Sequence, residues 1–452
     1  MPFGFTIAYM SDLAGESAEL LQTLIRNECV NDGTPDSGGE RRNADVLAAY
    51  LEGADLEVER FTARGDRTSI VARIEGSDPG APKVCLMGHT DVVPVNPSGW
   101  RNDPFGGELI DGEIWGRGAV DMLCLTSSMA VAMKEITRRG IRPKGDLIYF
   151  GVADEEAGSV YGAKWMIDNH WDAIECDYVL TELGGFRLGD GRSIGMASAE
   201  KGVAWRKISI GGTPGHGSVP YKSDNALVKA AEVVRRLAGF MPKAQLDERW
   251  AMQVKTSGLA DDLQRNLLDP GRIEDALDQM PKRAAASLHS SCHNTFSCNV
   301  ARAGQKTNII PDHVEIEVDC RTLPGVSGSG ATGLIREALG DLADEVEIST
   351  LLDYEASASS TDTPMWEALG AHTKSVFPQN QLQATMTVGF TDARLFRAKG
   401  VTAYGAGLFS PSIDLAAIGS RFHGHHERID VASLGLCADL FVSIAQAELG
   451  RK

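Results

Sequence analysis

Apolar residues recur at helical spacing over 13–29 and 39–51, then give way to a short strand-like run at 56–61. Two further apolar strand candidates follow at 69–74 and 84–87. Positions 122–139 return to a helical period, carry Lys and Arg in the last turns and stop at Gly140, as a helix C-terminus should. Strands are expected again at 146–152 and 177–180. This alternation predicts an α/β unit with a mostly parallel sheet and helices on both faces.

The pattern changes after about residue 200. Strands are expected at 203–210, 294–300, 314–320 and 346–352, and helices at 225–237 and 332–339. The longer gaps suggest a smaller α+β domain, and 241–290 reads as a polar, irregularly helical insertion within it. From about Thr361 the chain returns to helix (365–376), strand (382–388), helix (391–398), strand (401–404) and a final helix (431–449). These last elements are expected to complete the first sheet. The predicted organisation is one domain in two parts, 1–201 and 358–452, with a second domain, 202–357, inserted into it.

Composition narrows the class of function. The formal charge is −18, with no run of five basic residues, which argues against a nucleic-acid protein because phosphate contacts need clustered Lys and Arg. No apolar stretch approaches membrane-spanning length, and 1–10 lacks the basic start and apolar middle of a signal peptide. A cytoplasmic location is the expectation. The eight cysteines contain no C-x-x-C pair and read as buried thiols. Cys292, His293 and Cys298 lie close in sequence but lack a second half for a zinc knuckle.

The candidate chemistry sits just after the apolar strands. One runs into His89-Thr90-Asp91, the next into Asp154-Glu155-Glu156, and the third into Glu182. Open parallel sheets bind ligands beyond the carboxyl ends of their strands, so one edge would gather an imidazole and several carboxylates. Bare carboxylates at close range raise one another's pKa, and a divalent cation relieves that repulsion. His89, Asp121, Glu156, Glu182 and a late histidine form a mixed nitrogen and oxygen set that suits zinc, with cobalt or manganese as substitutes. An aspartate bridging two ions is a standard way to build a two-metal hydrolytic centre. Asp91 fits a carboxylate that orients a metal-bound imidazole, although Asp after a strand is also common turn chemistry.

Five blocks carry a resemblance. They are Gly88-His89-Thr90-Asp91-Val92-Val93-Pro94, Trp115-Gly116-Arg117-Gly118-Ala119-Val120-Asp121-Met122, Ala153-Asp154-Glu155-Glu156-Ala157-Gly158, Thr181-Glu182, and His423-Gly424-His425-His426-Glu427-Arg428. In this order they resemble the aminoacylase, carboxypeptidase G and succinyl-diaminopimelate desuccinylase family of two-zinc metallopeptidases and amidohydrolases. The resemblance implies that His89 and Glu182 hold one zinc, Glu156 and His423 the other, and that Asp121 bridges. Glu155 would be the general base that takes a proton from water. The late block has His425-His426 where the family usually has Pro-Asn, so His425 is an alternative ligand to His423. Cys124 departs from the family's Met-Lys-Gly and is expected to pack in a helix.

The inserted domain resembles the family's lid and dimerisation domain. Thr213-Pro214-Gly215-His216-Gly217-Ser218 matches its histidine motif, which implies that His216 stabilises the oxyanion, reaching across a homodimer. Substrate contacts are implied at Asn308, Arg321, Thr391 and Gly405. Arg321 suits a bidentate grip on a carboxylate but could instead pair with Asp319 or Glu317. Thr391 could simply cap a helix, and Gly405 could simply make a turn. The implied function is metal-dependent hydrolysis of an amide bond in small peptides, by a dipeptidase- or carboxypeptidase-like enzyme. The alternative substrate is an N-acetyl, N-succinyl or N-carbamoyl amino acid, and a non-catalytic binding module on the same fold is the remote alternative.

Overall fold

The computed structural model describes residues 3–34, 36–54, 56–413 and 418–449. A six-stranded sheet runs in the order Val58–Arg64, Arg67–Ile74, Leu147–Val152, Val84–His89, Tyr178–Thr181, Thr402–Gly405. The last four are mutually parallel and the first two form an antiparallel edge. Strand side chains alternate between faces, and here both faces are covered. Leu86, Tyr149 and Leu180 turn to a core filled by the helices Phe3–Arg26, Leu123–Arg138 and Val431–Ala445. Cys85, Met87, Phe150 and Val179 turn to the opposite core, with Ala163–Asn169 and Ala393–Ala398.

One expectation for the C-terminal part fails. Thr402–Gly405 does join the six-stranded sheet, but Gln381–Thr387 pairs in parallel with Ser193–Glu200 in a separate four-stranded sheet. Ser193–Glu200 was not expected as a strand. It is rich in Ser, Gly and Ala, which give neither the alternation nor the β-branched bulk that marks a strand.

Residues 202–354 contribute an antiparallel sheet, ordered Thr295–Ala303, His313–Thr322, Gly202–Gly211, Val346–Tyr354. His313–Thr322 alternates between buried and less buried positions, and its inner face packs with helices Ala226–Gly239 and Gly328–Leu339. The expected insertion forms four short helices around a small core of Trp250, Val254, Leu267, Ile273 and Leu277. His293 Nε2 bonds Glu274 at 2.9 Å, and all eight cysteines are free thiols.

Candidate functional site

Three adjacent parallel strands bring the chemistry together. His89 ends the central one, Glu155 and Glu156 lie on the turn after Leu147–Val152, and Glu182 directly follows Tyr178–Thr181. Asp121 arrives on the loop before Leu123–Arg138. His423 comes from the loop before Arg428–Asp430, a strand held antiparallel to Glu113–Trp115. Asp154, Leu183 and His423 have φ of 67°, 69° and 53°. Non-glycine residues in this left-handed region concentrate at functional sites, and all three belong to or flank the cluster.

Asp121 divides its two oxygens. Oδ1 lies 3.2 Å from His89 Nε2 and Oδ2 lies 3.1 Å from His423 Nε2, which is also 3.3 Å from Glu156 Oε2. Ligand atoms of His89, Asp121 and Glu156 lie within 4.8 Å of one another, as do those of His89, Glu155 and Glu182. Of the late histidines, His423 is the one that reaches these carboxylates. The His425 ring lies against Gly99, and the His426 ring lies between Trp100 and Trp115.

Charge in this buried cluster is unbalanced without a cation. Burial raises the pKa of Glu155, Glu156 and Glu182, reinforced by Asp392 and Glu156 at Glu155 and by Asp121 at the other two. Burial works against a charged His89, yet Asp121 and the surrounding carboxylates hold it well above the usual imidazole range. Hydrogen bonds to Asp121 and Glu156 lift His423 to about 10, while Asp121 is pushed down because the two imidazoles outweigh its burial. Glu156 Oε1 is buried with no hydrogen-bond partner among the described residues. Such an acceptor is costly unless something electropositive meets it. The donor set and this oxygen both fit divalent metal.

The residues around the cluster fix the orientation of its side chains. His89 Nδ1–H donates to the Asp91 carbonyl at 2.9 Å, which leaves Nε2 as the atom presented to the cluster. The Asp91 carboxylate was expected to orient the imidazole, but it is 3.7 Å away and does something else. It accepts the main-chain N–H groups of Glu155 and Glu156 at 3.2 and 3.1 Å, and the Asn31 amide at 2.8 Å. Asn31 in turn accepts from Arg67, whose guanidinium also pairs with Glu40 at 2.6 Å and Asp154 at 3.3 Å. Asn31, Glu40 and Arg67 were not anticipated. They stand far from the motifs in sequence and carry no spacing signal; only Asp154, adjoining Glu155, could have been suspected.

A second buried support holds the loop carrying Asp121. Glu427 accepts from the N–H groups of Val120 and Asp121 at 2.7 and 3.0 Å and pairs with Arg117 at 2.7 Å. Arg117 also donates to the His423 carbonyl at 3.2 Å. Glu427→Leu strands the Arg117 charge and two buried N–H groups, so we expect a loss of about 3–5 kcal/mol in urea unfolding of the metal-free protein. A change below about 1 kcal/mol would refute this reading of the support.

The remaining expected residues are placed differently. Cys124 is buried, with its thiol on the Val120 carbonyl. His216 is exposed on a two-residue strand paired with Ile309–Ile310, and its ring bonds Ser218 at 2.7 Å. Asn308 is exposed beside it, its carbonyl accepting from Gly217. The Arg321 guanidinium is taken by Asp319 at 2.8 Å and lies over the Phe390 ring. This is the local pairing that competed with a substrate grip. Thr391 is buried: its N–H donates to Glu200 at 2.6 Å and its hydroxyl accepts from Ala393 N–H at 3.2 Å, in the turn that leads into the helix. Gly405 lets its strand pass the backbone of Glu182, since a Cβ there would collide with the Glu182 carbonyl. It therefore serves the close approach of the two chain segments at Glu182.

Comparison with known proteins agrees with this geometry. Residues 85–447 match the model of peptidase family M20/M25/M40. The chain belongs to that family. As a member it is a metal-dependent hydrolase acting on amide bonds. It is 26% identical over 419 residues to a succinyl-diaminopimelate desuccinylase of Parvibaculum lavamentivorans, covering 91% of each chain. Its fold is similar to that of an M20 family metallo-carboxypeptidase from Sulfolobus solfataricus, with TM-score 0.72 and 18% identity over 96% of this chain and 99% of that one. It is also similar to a dinuclear metal binding peptidase of Bacillus subtilis, with TM-score 0.60 and 14% identity over 97% and 98%.

Proposed function

We propose that this chain binds two zinc ions, replaceable by cobalt or manganese, and hydrolyses an amide bond in small peptides. The observation that carries this reading is the divided Asp121 carboxylate, one oxygen facing His89 and the other His423. His89 and Glu182 would hold one ion, Glu156 and His423 the other, with Asp121 between. When bound, the ions supply Lewis acidity toward the scissile carbonyl and make water a better nucleophile. Glu155 accepts a proton at its carboxylate and returns it to the leaving nitrogen. Its burial raises its pKa above the usual carboxylate range, the direction a proton-accepting carboxylate needs. Asp91 keeps Glu155 and Glu156 in register through their main-chain N–H groups.

The alternative substrate, an N-acyl amino acid, is favoured by the likeness to a desuccinylase. A panel of dipeptides set against acetyl, succinyl and carbamoyl amino acids, assayed with each metal, separates the two. A preference of at least tenfold in kcat/KM for dipeptides supports the peptidase reading, and the reverse preference favours the acyl one.

We also read 202–357 as a lid and dimerisation domain set into a catalytic unit of 1–201 and 358–452. The exposed Val219 and Tyr221, three and five residues beyond His216, support a homodimer contact there. In that arrangement His216 serves the partner's site, donating to the oxyanion. Mixing inactive His216→Ala and Glu155→Ala proteins should then restore about a quarter of wild-type activity, since random pairing gives half mixed dimers, each with one intact site. No recovery after verified subunit exchange would refute sharing. Asn308 would contact substrate from the same side, and Arg321 would do so on leaving Asp319. The eight free thiols support a cytoplasmic location. No helix among the described residues is long and apolar enough to cross a membrane.

A further inference from the structure

Two arginines from different parts of the chain converge on the Phe390 ring. The Arg321 guanidinium carbon lies 5.1 Å from the ring centre, and that of Arg394 lies 4.4 Å from it. Arg321 comes from the strand His313–Thr322 of the inserted segment, whereas Phe390 and Arg394 follow the strand Gln381–Thr387. A cation over an aromatic ring is held by the ring's quadrupole, and this attraction uses none of the cation's hydrogen-bond donors.

Arg394 makes the ring a fixed point. It is buried, and it donates to the Thr391 carbonyl at 2.6 Å and to the Ser159 hydroxyl at 3.2 Å. Ser159 closes the turn that carries Glu155 and Glu156: its N–H donates to the Asp154 carbonyl at 2.7 Å, and its hydroxyl donates to the buried Asp392. Burial raises the pKa of Glu155, and the Arg394 charge is near enough to pull against it. Phe390 is therefore tied, through one buried guanidinium, to the turn that holds Glu155 and Glu156.

Arg321 is held less firmly. Its side chain is 22% exposed, and its Nε and one Nη pair with the Asp319 carboxylate at 2.8 and 3.3 Å. Asp319 has a second donor in the Trp205 indole at 2.9 Å, so it keeps a partner when the arginine leaves. The bidentate edge of Arg321 can therefore pass to another carboxylate while its contact with the Phe390 ring persists.

Resting on the amide-hydrolase reading above, with Arg321 as the carboxylate grip, we propose that Phe390 is a positioning residue. Its ring sets the Arg321 guanidinium at a fixed place relative to the Glu155 turn, so that a substrate's free carboxylate is bound in register with its scissile amide. Preference for amides with a neighbouring carboxylate then depends on an aromatic side chain at Phe390 as well as on Arg321.

The test is calorimetric binding, to the metal-loaded full chain, of two alanyl-alanine analogues in which a methylene replaces the scissile N–H. One ends in a free carboxylate and the other in a carboxamide. The wild type should bind the carboxylate form about tenfold or more tightly, and Arg321→Ala should erase that preference. Phe390→Ala should cut the preference about fivefold and leave the carboxamide affinity within about twofold, whereas Phe390→Tyr, which keeps a ring, should stay within about twofold of wild type. Phe390→Leu takes the place of Phe390→Ala if the latter fails to fold. A role in folding alone would weaken both ligands alike. That result overturns the proposal, as does a Phe390→Ala preference within about twofold of wild type, or a preference that is absent from the wild type or unmoved by Arg321→Ala. Because the readout is binding, a chain that behaves as expected here but hydrolyses no peptide or N-acyl amino acid counts against the amide-hydrolase reading alone. Hydrolysis that persists beside an unchanged Phe390→Ala preference counts against the positioning role alone.

Discussion

Glu155→Ala is expected to lower kcat by about 10³-fold or more while metal content stays at the wild-type level. The two readouts must be taken together, because Glu155 stands close enough to His89 and Glu182 to be counted with the ligands. A ligand and a base differ in what their loss does: removing a ligand empties a site, whereas removing a base leaves the ions and stops proton transfer. The backbone of this turn is fixed independently of the Glu155 side chain, by the Asp91 carboxylate beneath it. Truncation should therefore leave Glu156 in place. Elemental analysis of the dialysed variant beside its steady-state kinetics checks this. Turnover near wild type removes Glu155 from the mechanism, and metal loss in parallel with activity makes it a ligand.

Asp121→Ala should have the other large effect: loss of both ions and of detectable hydrolysis. Asp121 is the residue whose two oxygens face the two imidazoles, so its removal deprives both halves of the cluster at once. Its main-chain N–H is held by Glu427, so the loop should keep its course and circular dichroism should be unchanged. Asp121→Asn keeps one oxygen and is expected to retain no more than one ion per chain after dialysis. If Asp121→Ala still carried two ions, the bridge would have to be some other residue.

Much of this site was legible in the chain because its residues sit at strand ends, where periodicity ends and chemistry begins. Val84–His89, Leu147–Val152 and Tyr178–Thr181 are apolar on both faces, so their positions were plain and the polar residues just beyond them stood out. The family resemblance pointed to His423 with His425 as the alternative, and the His425 ring turns instead against Gly99. The supports were hidden. Asn31 and Arg67 act through contacts made across 60 and 36 residues of sequence, to Asp91 and to each other, and no local pattern encodes them. Ser193–Glu200 escaped notice because its small residues are chosen for close packing. Arg321, in the inserted segment, was the least legible: an arginine suited to a carboxylate finds one in Asp319 two positions away, and a sequence motif does not say which carboxylate it will meet.

The central claim is a two-ion centre bridged by Asp121, and counting ions tests it most directly. Metal-free protein titrated with zinc should saturate at two ions per chain, with hydrolysis of the preferred amide appearing as the sites fill. Saturation at a single ion per chain with full activity would contradict the account.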